Sequence, residues 1–469
     1  MKKLLIVLFL FLVLVFAIIS FYNTLVCVSK QPMVNPLEKK ELDEAKLLKH
    51  LTGALRIQVL SSPIDSLQNA AYKQMHDYLE ICFRNIYTSP NVERKTLAEK
   101  SILYKWVGRN PKLKPILILG QLDVKDPPLK QVPQWTYNPF LGKLADGYIY
   151  GAGVMGGKSI SLAILEALDQ HIADGVLPER TLYIALLNDM ESDTAQSLNY
   201  LINSLKSSGL EFETIIGAES YITDNAQLSK PLALIQCAER HRVHLQLKAA
   251  DLQILTALVD RIQQDELPVA RKAMATEQFL WSLLPELSFG KRWALCNWSW
   301  AGFLAEKQLR NDPQIGPMLN SSCELLKLEK SADGIHALAE LTWLSSPDYG
   351  LEDFKKRYMP YLNGVEAIWS ADRDGAAAIS PSEGYAYEAL RTTIKQIFGD
   401  VYVMPGIGGH PSKLSLFKEI TVNCYHFRPY QFEQEDMERI KSGIDHRLRV
   451  ENYLQGVRFY TQLLKNMVL

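Results

Sequence analysis

A chain of 469 residues with 47% apolar and 22% charged residues has globular composition and is long enough for two cores rather than one. Its 51 basic and 52 acidic residues leave a formal net charge of -1, which excludes the basic excess of a nucleic-acid surface. The six cysteines (Cys27, Cys82, Cys237, Cys296, Cys323, Cys424) lack CxxC or Cys/His spacing, so zinc-finger and dithiol redox classes are excluded as well.

In chain order, Lys2 and Lys3 precede an unbroken apolar or small run from Leu4 to Phe21. A spanning helix needs about 17–25 residues and a secretory core about 7–15, so residues 1–30 read as a membrane anchor, with a cleaved signal sequence as the alternative. Either reading exports the rest of the chain and keeps the lysines on the cytoplasmic side. Export permits disulfides, but the spacing pairs no cysteines; buried or unpaired thiols are expected, with room for one bridge. Residues 31–41 are polar and Pro-containing and form a tether.

From residue 42 the pattern alternates. Helical spacing at 71–83 is followed by a buried strand at 115–119, a helix at 159–172, a strand at 181–187, a helix at 197–205 and a strand at 214–216. This rhythm predicts an α/β layer with a largely parallel sheet, whose chemistry sits at the carboxyl ends of its strands. Those ends carry Gly120-Gln121-Leu122-Asp123, Asn188-Asp189-Met190-Glu191 and Gly217-Ala218-Glu219-Ser220. Residues 231–371 change texture: an apolar run at 232–235, alternation at 243–247, a helical stretch, then a strand-like passage at 334–344. They read as an inserted second domain. The first domain, residues 42–230, resumes at 372–469 with helices expected at 385–398 and 437–464.

The segment Gly120-Gln121-Leu122-Asp123-Val124, followed by Trp135, Asn138-Pro139-Phe140, the run from Asp146 to Gly153, and Lys158, resembles metallopeptidase family 20. The likeness is to its carboxypeptidase S branch, beside aminoacylase and succinyl-diaminopimelate desuccinylase. It covers the chain after residue 45, including the late loop from Gly406 to Lys413. The resemblance implies a zinc-exopeptidase-like α/β domain interrupted by a smaller α/β sandwich that serves as lid or dimerisation domain. It also implies a dinuclear zinc centre that hydrolyses amide bonds of peptides or N-acyl amino acids.

The residues that would hold that zinc are largely replaced. Carried over position by position, the first His is Gln121, the bridging Asp is Gly156, the ligand Glu is Glu191, the ligand Asp is Gly217 and the late His falls at Leu414. The general-base Glu is Met190, and the lid lacks the family's substrate-polarising His. Zinc needs three or four N, S or carboxylate ligands, and Gly and Leu offer none through a side chain. Without metal and base, water stays a very weak acid and has no proton acceptor. No catalytic residue and no metal are therefore expected. The carboxylates have gone together with the His residues, as suits a site that no longer faces metal charge.

The alternative is a hydrolase with a single metal on Glu191, Glu219 and His410, since Glu219 would share a strand face with Gly217. Asp123, a metal-orienting residue in the family, reads here as a strand-end cap. Arg240, His241, Arg242 and His244 read as a solvated strand edge before they read as a ligand or partner contact. Trp298 and Trp300 read as lid core. The expected function is that of an exported, membrane-tethered pseudoenzyme that binds a peptide or N-acyl amino acid, or pairs as a homodimer or heterodimer through the inserted domain.

Overall fold

The computed structural model describes residues 2–61, 66–125, 127, 130–190, 196–267, 269, 274–331, 336–347, 349–372, 379–409 and 413–469. The apolar run forms one helix, Lys2–Leu25. Within it Lys3–Leu25, 23 residues whose most apolar stretch has mean hydropathy 3.4, is long and apolar enough to cross a membrane.

Among the described residues, ten strands form one large sheet. Its centre is parallel: Ile116–Gln121 pairs parallel with Leu182–Leu187 on one side and Thr214–Gly217 on the other, and Cys424–His426 pairs parallel with Thr214–Gly217. One flank is antiparallel, because Val92–Leu97 and Ser101–Trp106 form a hairpin whose second strand joins Leu182–Leu187. The sheet is therefore mixed. The helix Gly157–Ala173 packs against the sheet and against the helix Val450–Met467. It is buried almost all round, which is why its sequence is apolar beyond a single stripe.

The expected long helix at 437–464 is two helices, Gln434–Ser442 and Val450–Met467. Gly443 caps the first in the left-handed region at φ 70, and the strand Arg447–Arg449 follows. Continuous helical periodicity concealed a break that one glycine makes cheap.

A separate four-stranded antiparallel sheet comprises Ser322–Lys330, Ala337–Ser345, His241–Ala249 and Glu366–Ala371. It has its own core, in which Val243, Leu245, Leu247, Leu341 and Trp343 meet Phe354 and Tyr358. The strand Leu232–Glu239 pairs instead with Tyr402–Gly408 in the larger sheet, so the chain changes sheets at Arg240. The helices from Met274–Leu283 to Gly316–Leu319 share a core with Leu232, Met404 and Ile407 of the larger sheet and with Cys27.

Arg240 and His241 are buried and structural, not a solvated edge. Arg240 donates to the Asn320 and Leu344 carbonyls and to Ser322 Oγ, and the His241 ring meets the Tyr349 carbonyl. They lock the crossing between sheets, a role the local sequence pattern does not announce. Cysteines are free thiols, with Cys27 and Cys296 hydrogen bonded side chain to side chain.

Candidate functional site

The carboxyl ends of Ile116–Gln121, Leu182–Leu187 and Thr214–Gly217 converge as the alternation requires, and the amino end of the helix Gly157–Ala173 faces them. Gln121 ends its strand with Nε2 donating to the Asp123 carbonyl at 3.2 Å. Its own carbonyl accepts from Ser161 Oγ at 2.8 Å, which pins helix to strand. Asp123 is buried and accepts from Ser61 Oγ at 2.9 Å and from the Met190 amide at 3.3 Å. Asp123 thus ties the Ser61 and Met190 segments to the strand end. Asp189 caps likewise, accepting the Ser197 amide at 2.6 Å.

Lys158 is wholly buried behind this layer and donates to the Ile57 carbonyl at 2.5 Å. Burial pulls its ammonium down to about 7, and the Asp123 carboxylate opposes that shift.

At the two glycine positions the space is taken by side chains from the end of Cys424–His426. A Cβ on Gly217 would lie 2.3 Å from His426 Nδ1, and a Cβ on Gly156 would lie 3.3 Å from Cζ and Nη2 of Arg428. Arg428 Nη1 donates to the Met155 carbonyl at 2.8 Å, while Nη2 and Nε donate to the Ala218 carbonyl at 3.2 and 3.3 Å. One guanidinium therefore ties together the loops that carry Gly156 and Gly217. Burial lowers the affinity of Arg428 for its proton, and Glu219 opposes this.

His426 is buried, and its pKa is pulled down to about 4 chiefly by burial, with Glu239 opposing and Arg428 assisting. It is neutral at pH 7, so its 3.9 Å approach to Glu219 is a polar contact and not an ion pair.

The remaining positions are apolar or displaced. Leu414 is buried in a cluster with Leu187, Leu198 and Phe417, against which Met190 packs. Lys413 donates to the Met190 carbonyl at 2.6 Å. The strand expected to carry Glu219 on the face of Gly217 ends at Gly217. Glu219 lies in the loop beyond it, exposed and within the field of Arg428. Glu191 and His410 lie outside the described residues.

The described residues at the positions carried over from the family, Gln121, Gly156, Gly217 and Leu414, offer no charged side-chain ligand. Among the described residues no three His, Cys, Asp or Glu side chains are grouped to hold an ion. A guanidinium facing Gly156 would also repel one across a partly buried site. Sequence reasoning missed both Arg428 and His426. The available signal was volume: glycines where the resemblance implies carboxylates leave space, and an Arg and a His at one strand end are side chains able to take it.

Elsewhere, Trp298 Nε1 donates to Glu306 at 2.9 Å within the helical layer. Trp300 is not lid core; it lies 4.7 Å, ring to ring, from Phe16 of the N-terminal helix.

The family model described as "Peptidase family M20/M25/M40" matches residues 121–466. The chain is 25% identical over 477 residues to "Probable carboxypeptidase S-like 2" of Dictyostelium discoideum, covering 95% of this chain and 90% of that one. It is 25% identical over 460 residues to "N-fatty-acyl-amino acid synthase/hydrolase PM20D1" of Homo sapiens, covering 92% and 89%. Its fold matches a metallo-carboxypeptidase of the M20 family from Sulfolobus solfataricus with TM-score 0.61 at 12% identity, over 91% of this chain and 99% of that one.

Proposed function

Since this chain belongs to peptidase family M20/M25/M40, we propose that it is a membrane-tethered, exported member that binds in the family cleft without hydrolysing amide bonds. One observation carries the proposal. The Arg428 guanidinium bridges the Met155 and Ala218 carbonyls, where the resemblance places two metal-binding carboxylates beside Gly156 and Gly217. A fixed protein cation stands in for metal charge and cannot ionise a water. With Met190 packed into an apolar cluster, nothing at that position takes a proton from water either.

The ligand class follows from the retained framework and the exchanged charge. A guanidinium pairs best with a carboxylate. A peptide or an N-acyl amino acid supplies one, and similarity to the human N-fatty-acyl-amino acid synthase/hydrolase supports the second. The helix Lys3–Leu25 serves as the tether, with Lys2 and Lys3 on the cytoplasmic side.

Elemental analysis of the full chain, purified in detergent without chelator and then challenged with zinc, tests the reading. Less than about 0.1 equivalent of zinc and an unchanged melting temperature are expected. One tight equivalent, lost on Glu191→Ala, would overturn the proposal in favour of a single-metal hydrolase.

A further inference from the structure

Apolar side chains on helices beside the N-terminal segment are left without protein cover. Phe289, Trp300, Phe303 and Leu304 are 51%, 38%, 72% and 57% exposed, on the helices Phe289–Cys296, Trp298–Ala301 and Phe303–Arg310. Trp300, Phe303 and Leu304 recur at helical spacing, and Lys307 continues the same face one turn on. Isolated exposed apolar residues are ordinary, but a grouped aromatic face of this kind marks an interaction site.

These helices are fastened to the last turns of Lys2–Leu25. Asn297 Nδ2 donates to the Ser20 carbonyl at 3.0 Å, and Asn23 Nδ2 donates to Asn297 Oδ1 at 3.1 Å. Ser20 and Thr24 are buried there, although most of the helix is exposed. Ring pairs continue the contact: Phe21 with Phe289 at 6.2 Å and Phe16 with Trp300 at 4.7 Å.

The depth of these contacts decides what covers the face. A 23-residue helix is about 34 Å long, little more than the ~30 Å hydrocarbon layer, so a spanning helix leaves the bilayer near Leu25. Phe16 lies about 14 Å before that end at ~1.5 Å per residue. Trp300, in contact with Phe16, cannot remain in water while the helix spans.

We propose that the helices from Phe289 to Arg310 form a second, monotopic membrane contact, seated in the outer leaflet beside the anchor with Phe289, Trp300, Phe303 and Leu304 toward the acyl chains. This rests on the anchor reading above. The occupant is the bilayer because the face is continuous with the helix that crosses it. The consequence is orientational: two contacts hold the exported body against the membrane, where one helix followed by the tether would leave it free to tumble.

The test places a photoreactive benzoylphenylalanine at Phe9, Phe303 or Ile368 of the full chain, reconstituted in phosphatidylcholine vesicles. Lipid adducts are expected from Phe9 and Phe303 and none from Ile368, which is exposed on the four-stranded sheet. Adducts from Phe9 without adducts from Phe303 would overturn the monotopic contact and leave the anchor standing. No adduct from either would remove the anchor, and the contact with it. Cross-links from Phe303 to polypeptide would assign the face to a second copy or a protein partner and overturn the proposal.

Discussion

At the residue scale the site depends on two glycines in different ways. At Gly217 an added methyl meets the buried His426 ring at 2.3 Å, whereas at Gly156 it meets the end of a long side chain at 3.3 Å. Gly217→Ala is therefore expected to cost about 1–3 kcal/mol as overpacking, and Gly156→Ala well under half of that. Chemical denaturation of both variants measures it; equal costs would show that the His426 ring does not occupy the space beside Gly217.

Lys158 supplies a second residue-scale prediction. Its folded pKa of about 7 lies below the ordinary lysine value of 10.5. Between those values the unfolded chain binds more protons than the folded one, so stability rises with pH through that window. The penalty is fully present below the folded pKa and is relieved once the lysine is neutral in both states. Other groups titrate in the same range, and a comparison with Lys158→Met cancels them. Wild type should gain on Lys158→Met between pH 7 and 9.5, at up to about 1.4 kcal/mol per pH unit. Parallel curves would mean that the ammonium is not desolvated.

At the element scale, what the sequence shows clearly is what local physics encodes. Buried strands such as Ile116–Gln121 and Leu182–Leu187 are short apolar runs between breakers, and Tyr385–Phe398 has helical periodicity that ends at Gly399. Each could be read within a residue or two. The antiparallel hairpin from Val92 to Trp106 went unread because charged residues on its edge strand mask the alternation. The break at Gly443 went unread because one glycine is a weak signal inside a periodic run. The site divides the same way. Gln121, Asp123 and Gly217 fall at strand ends where the alternation placed them, while Arg428 and His426 reach the site only through the parallel pairing of Cys424–His426 with Thr214–Gly217. That pairing joins segments about 210 residues apart, and no local pattern records it.

At the scale of the whole molecule, continuity in sequence and cooperativity in folding part company. The span 231–371 is one stretch of chain, yet its helices from Met274 to Leu319 share a core with the larger sheet, and the four-stranded sheet has a core of its own. Trp343 is the centre of that separate core, stacked on Tyr358 at 5.3 Å and on Trp369 at 5.9 Å. Trp343→Ala should cost about 3–5 kcal/mol, and the loss should fall on the four-stranded sheet alone. Native-state hydrogen exchange distinguishes the cases. The strands His241–Ala249 and Ala337–Ser345 are expected to lose protection while Met274–Leu283 and the larger sheet keep theirs. Uniform loss across residues 231–371 would show instead that the stretch folds as one unit. In that case the locked crossing at Arg240, with its bonds to Asn320, Ser322 and Leu344, would couple the two cores more tightly than their separate packing implies.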